Sequence, residues 1–344
     1  MGASLRNVLA CAALLLALAA RAAEPAADLY MVSVPVSEQS PAELRRGAGL
    51  GLRELAVRVS GRSDAERAPA LAGAFAGADR YVEQYRYERN ASAEAGSPPW
   101  LLQLRFGRGL VDALLRGAGL PLWGAERPQL QAWLVLDAGS RRFVDDTTPD
   151  VPKALRDQLR RRGLALRFPA DFSAASVDTV AAMDTARLAP LAGRDALLLG
   201  RVAPVAGAWA VNWTLLNNGQ QIAAEGRGDT LAAALQPALD RVVDTLAAQY
   251  AVQGGAAEGL TLQVSGIDSF ADYAALLSYL RRLGSVKSAS PLQLGPAGLL
   301  VQLRIDGSAE QLARQLALDS RLSAESAPGE AASTLRYRWA APRS

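Results

Sequence analysis

The chain has 344 residues, 50% of them apolar and 21% charged, with 37 basic against 34 acidic side chains. That is the make-up of a folded protein of two or three domains rather than of a disordered chain. It has no histidine, and its single cysteine is Cys11; a mature chain without that residue has no imidazole base, no thiol nucleophile and none of the usual zinc ligands.

Taken in chain order, Arg6, the apolar run Val8–Ala20 and the small residues around Ala20-Arg21-Ala22 predict a signal peptide, residues 1–22, cleaved after Ala22. A membrane span needs about 20 apolar residues, more than this run supplies. Cys11 lies near the start of the run, whereas a lipoprotein signal places its cysteine at the end. The expected location is therefore the periplasm, with no transmembrane segment in the mature chain. Removing Arg6 and Arg21 leaves 35 basic residues against 34 acidic ones. No region holds the basic surplus that phosphate binding requires, which excludes nucleic acid as the expected partner. Lysine occurs only at Lys153 and Lys287. The arginine and alanine excess reads as a GC-rich bacterial coding sequence.

The fold class expected is α/β (α+β): three small units, each held by its own core because the mature chain has no disulfides. The first covers 28–126. Leu29–Val36 alternates as a strand, and Ser40-Pro41-Ala42-Glu43 starts a helix that Ser60-Gly61 ends. A short helix over Ala65–Ala76, strands Tyr81–Arg89 and Trp100–Phe106, and a helix Leu110–Arg116 follow. The second unit covers 128–253, in the order β-α-β-α-β-β-β-α. Asp150 is expected to cap a helix Val151–Arg162, another helix spans Ala175–Thr185, and Asn218-Gly219 turns a hairpin within a three-stranded meander. A helix Thr230–Tyr250 closes the unit. Gly254–Gly259 reads as a linker. The third unit, 260–340, has the ferredoxin-like order β-α-β-β-α-β, with Ser308-Ala309-Glu310-Gln311 as a capping box. Phe270, Tyr273, Leu277, Leu280, Leu312 and Leu316 are expected to join its helices to a four-stranded antiparallel sheet.

Candidate chemistry is sparse. Asp145-Asp146-Thr147-Thr148-Pro149-Asp150 is the densest acid cluster, readable as a calcium loop or a glycosidase pair, but it lacks the alternating acidic spacing of an EF-hand and suits a solvated loop. Gly47-Ala48-Gly49-Leu50-Gly51 lies within a helical stripe and implies close packing rather than a dinucleotide site. No cofactor, metal or catalytic residue is expected. Trp123, Arg127 and Trp133 are the candidate interaction surface.

Tyr81–Tyr87, Leu104-Arg105-Phe106, Gly119–Gly124, Arg127-Pro128 and Trp133-Leu134 together resemble a family of exported gammaproteobacterial proteins, the domain-of-unknown-function family 2066. The resemblance spans roughly Leu29 to Leu136 and departs at Gly107, where the family pattern has an acid. It carries no activity and no residue role. The second unit resembles the αβ domains of envelope assembly proteins such as the N-terminal domain of the Tol-system propeller protein, an analogy of fold alone. The expected function is that of a non-enzymatic periplasmic adaptor that binds an envelope protein or a cell-wall component. The alternative is a carboxylate-dependent hydrolase of envelope glycan or peptide.

Overall fold

The computed structural model describes residues 28–91, 96–192, 195–254, 258–325 and 334–340. The expected signal peptide and Cys11 lie outside the described residues. The fold class is α+β, and the described residues form three separate sheets.

In the first unit, β1 (Met31–Val36), β2 (Val82–Arg89) and β3 (Trp100–Phe106) form an antiparallel sheet in the order β1-β3-β2. Helix α1 (Pro41–Ser60) begins where the Ser40 hydroxyl accepts the Glu43 N–H at 3.2 Å, and ends at Gly61, whose φ of +73° suits a residue without a Cβ. Val32, Val34, Val36, Leu102, Leu104 and Phe106 meet Leu52, Leu55 and Val59 of α1 in one core. The glycine run has the packing role expected: a Cβ on Gly47 would lie 2.6 Å from Leu102 Cδ2. The single helix expected over 65–76 is instead two 3-10 turns, Ala65–Arg67 and Pro69–Leu71, followed by α2 (Ala72–Ala76). Pro69 cannot continue a helix already begun, so it starts a new turn. Helix α3 (Arg108–Gly117) completes the unit.

The second unit comprises β4 (Leu130–Asp137), β5 (Arg141–Phe143), α4 (Val151–Arg161), β6 (Leu166–Arg167), α5 (Val177–Ala181), α6 (Thr185–Leu188), β7 (Ala196–Val205), β8 (Ala208–Asn217), β9 (Gln220–Gly228) and α7 (Leu231–Tyr250). The sheet order is β5-β4-β7-β8-β9, with β6 also beside β4; β4 and β7 run parallel. Asn218 and Gly219 both take positive φ, as a type I′ turn demands. Alternation along β4 sends Leu130, Ala132 and Leu134 to α4 and α7, and Trp133 and Val135 to α5. Three expectations fail locally. Asp150 has φ +61° and makes no capping bond, because an N-cap needs extended backbone. The helix expected over 175–185 is broken into α5 and α6, each with its own cap, Ser176 and Asp184. Strand β5 was not expected.

The third unit comprises β10 (Glu258–Ser265), α8 (Phe270–Arg282), β11 (Val286–Gly295), β12 (Gly298–Ile305), α9 (Ala309–Ala317), β13 (Leu322–Ala324) and β14 (Thr334–Trp339). The Ser308–Gln311 capping box is present. The sheet differs from the ferredoxin-like expectation. Its order is β11-β12-β10-β14-β13, and β14 runs parallel to β10. The short strand β13 takes the outer edge after α9 and pairs antiparallel with β14, which lies between it and β10. Phe270 is 81% exposed and stacks on Tyr273 at 5.8 Å. It is the first helical residue after the Ser269 cap, while Leu276, Leu277, Tyr279 and Leu280 are the buried residues of α8. Leu312 and Leu316 are buried as expected. Of the expected linker, Glu258 and Gly259 belong to β10, and 255–257 lie outside the described residues. Among the described residues no helix is long and apolar enough to cross a membrane.

Two outcomes follow from these contacts. A Cβ at Gly226 would lie 2.0 Å from the Ala234 carbonyl oxygen, so α7 could no longer rest on β9. Gly226→Ala should lower stability in urea unfolding by about 1–3 kcal/mol. Separately, Arg46 and the Ser37 N–H hold the Glu43 carboxyl at about 2, below its ordinary 4.5. A lowered carboxylate value stabilises above the unfolded value and loses that effect as pH falls through the folded one. The stability difference between the protein and Glu43→Gln should therefore be constant above pH 4.5 and close towards pH 2, read from urea midpoints across that range.

Candidate functional site

Every helix leaves its last carbonyls without intrahelical donors. Helices α1 and α4 end against the same guanidinium, that of Arg127, in the segment joining the first two units. Arg127 donates to the carbonyls of Arg58 at 2.8 Å, Trp123 at 2.7 Å, Gly124 at 2.9 Å and Arg162 at 2.7 Å, with Gly163 at 3.4 Å. Its guanidinium lies 4.3 Å from the centre of the Trp123 ring. Two more arginines cross the junction in opposite directions. Arg58 of α1 donates to the carbonyls of Leu29, Met31 and Arg161, and pairs with Glu54. Arg162, just beyond α4, donates to the Gly61 carbonyl at 2.9 Å and pairs with Asp240 and Asp244 of α7. Asp244 also accepts the N–H and hydroxyl of Ser63, at 3.0 and 2.6 Å. Gly163, at φ +70°, lets the chain turn under Arg127, where a Cβ would lie 2.6 Å from its Nη1.

Burial, and then the neighbouring Arg58 cation, bring the Arg127 guanidinium down to about 9, so it is charged at neutral pH. It makes no ion pair among the described residues. Its charge is held by carbonyl dipoles at two helix C-termini, the ends that favour cations.

Beside this junction lies an open groove of about 1820 Å³. One wall is the face of the first sheet that α1 leaves uncovered: Met31, Ser33 and Pro35 of β1, and Leu101, Gln103 and Arg105 of β3. The other includes Lys153, Arg160 and Arg161 of α4. Ten basic and six acidic residues line the groove, a surplus the chain as a whole lacks. It persists, at seven to four, without Arg58, Arg127, Arg162 and their partners Glu54 and Asp240. Arg53, Arg67 and Arg161 make no ion pair within 4.0 Å among the described residues, and all three are exposed. Asp28 is held by Arg105, and Asp157 by Lys153 and Arg160. Burial, and then its bond to Asp112, raise the Tyr30 phenol well above its usual range. Burial raises Glu54 despite the opposing Arg58 cation.

The expected interaction surface of Trp123, Arg127 and Trp133 is not a surface. Trp123 is 0% exposed and packs in the core of the second unit, and its backbone N–H donates to the Val59 carbonyl at 2.7 Å. Trp133 is 2% exposed and packs edge-on against Phe143 and Phe172. Arg127 lines the base of the groove, but its donors are spent on carbonyls. In the acidic loop, Asp145 accepts from Thr147 and Thr148, and Asp146 pairs with Arg156. Among the described residues no group of three or more acidic, histidine or cysteine side chains could hold a metal ion. Sequence reasoning missed the groove arginines. The one signal was arginine in place of lysine, and charge balance along the chain concealed it.

Residues 23–124 match the model of a family described as a domain of unknown function, DUF8605. The matched region corresponds closely to the stretch that carries the sequence resemblance, under a different family number. No curated protein and no solved structure matches the chain.

Replacing Arg127 tests the junction. Arg127→Met should cost about 3 kcal/mol or more, because buried carbonyls deprived of a donor cost about 1–3 kcal/mol each. Arg127→Lys should recover less than half of that loss, since an ammonium cannot reproduce the planar fork. Chemical denaturation of the two variants gives both values.

Proposed function

We propose that this is an exported, non-enzymatic protein of the bacterial envelope that binds another envelope protein or a cell-wall component through the groove between its first two units. The groove carries the reading: exposed arginines with no ion pair within 4.0 Å among the described residues line an open surface in a chain of nearly balanced charge. The leader pattern of residues 1–22 supports export, and the resemblance to the exported gammaproteobacterial family 2066 supports an envelope role. One observation favours the alternative, a carboxylate-dependent hydrolase of envelope glycan or peptide. Glu54 lines the groove with a raised carboxyl, as a general acid requires. A glycosidase also needs a second carboxylate about 5–10 Å away; Asp28, Asp157 and Asp240 in the groove are each held by a basic side chain, which leaves Glu66 and Glu83 as the other acids of its lining.

Fractionation and site-specific photo-crosslinking test the proposal. The periplasmic fraction should yield a protein whose N-terminus is Ala23, and a photo-reactive residue at position 161 should give a discrete crosslinked species in intact envelopes. A full-length chain retained in the membrane, or no crosslink from position 161, would contradict it. Hydrolysis of envelope glycan or peptide that Glu54→Gln abolishes would favour the alternative.

A further inference from the structure

We propose that the groove takes an extended acidic polypeptide segment whose carboxylates alternate with apolar side chains. This rests on the binding reading above and names the class of partner.

Size is the first argument. Pockets for small molecules run to about 300–1,000 Å³, and this groove, at about 1820 Å³, is larger than one small anion can fill. Chemistry is the second. The arginines do not form a purely polar channel. Met31, Pro35, Leu50 and Leu101 lie among them, and Leu50 is 46% exposed on α1, where no core claims it. A phosphate polymer would leave those apolar side chains without partners, whereas a peptide with alternating acidic and apolar residues satisfies both sets. Arg53, Arg67 and Arg161 offer planar donor forks that match carboxylates. Arg53 is already oriented, since it donates to the Glu66 carbonyl at 3.0 Å and lies over the Phe75 ring at 4.3 Å.

The mode of recognition is also constrained. Among the described residues β1 is an edge strand, paired only with β3, and such an edge can accept an added strand. Here it is blocked. Pro35 has no N–H, Arg58 takes the Met31 carbonyl, and Arg46 takes the Pro35 carbonyl. The segment is therefore read by side chains across the sheet face and α4, not by extension of the sheet.

The test is fluorescence anisotropy of the full mature protein with a labelled alternating Glu-Leu peptide of about eight residues, extended at about 3.3 Å per residue. Binding is expected and should weaken as salt rises from about 0.05 M to about 0.5 M. The double variant Arg67→Glu/Arg161→Glu should bind about tenfold or more weakly, through like-charge repulsion. Its unfolding midpoint should move little, because both side chains are exposed and neither makes a hydrogen bond or an ion pair within 4.0 Å among the described residues. Arg142→Glu, exposed but outside the groove, should bind as the parent does. No binding, equal binding of a Lys-Leu peptide, or tripolyphosphate binding as tightly as the Glu-Leu peptide would each overturn the proposal. A crosslink from position 161 without acidic-peptide binding overturns the acidic class and leaves the binding reading in place. Failure of both overturns both.

Discussion

The architecture depends on how the orphan carbonyls at helix ends are satisfied. Where α1 and α4 end, Arg58, Arg127 and Arg162 supply the donors, and each reaches a carbonyl belonging to a neighbouring segment. The same device attaches the third unit. The carbonyls at the end of α7, those of Gln249, Tyr250 and Ala251, accept from Arg314, Gln315 and Gln311 of α9 at 3.0, 3.1 and 3.2 Å. Water could satisfy these carbonyls on separate units, so the net gain lies in exclusivity: once buried together, they have no other partner.

The junction has a consequence for the groove beside it. The acids nearest the junction, Glu54, Asp240 and Asp244, are committed to Arg58 and Arg162. They cannot also neutralise Arg53, Arg67 and Arg161 at bonding distance. A chain with almost no net charge thus presents a locally cationic surface: ten basic side chains line the groove against six acids, and two of those acids, Glu54 and Asp240, are committed to Arg58 and Arg162. Surface ion pairs contribute little stability, so the buried arginines carry the structural role and the exposed ones remain open to a ligand.

What was legible in the sequence was local. Ser40, Gly61, Ser308 and Asn218-Gly219 act within a few residues of themselves, and each has the conformation that its residue type implies. Alternation placed the long strands for the same reason. Short elements were not legible: β5 and β13 are three residues each, too brief to show a period. The parallel pairing of β10 with β14 depends on the intervening β13, so the ferredoxin-like order alone could not reveal it. The candidate site was hidden for a different reason. Nothing in sequence spacing tells an arginine that will bury its fork against carbonyls, such as Arg127, from one that will remain exposed, such as Arg161. Trp123 and Trp133 drew notice as aromatic residues, and the structure uses both in cores.

The most direct test of this account is amide hydrogen exchange, followed by mass spectrometry, on the parent protein and Arg127→Met under native conditions. The account predicts faster exchange confined at first to the segments around residues 57–63 and 159–165, where the two helices end, with the sheet of the third unit unchanged. Unchanged exchange at those helix ends, or acceleration spread evenly over all three sheets, would contradict the claim that Arg127 joins the first two units.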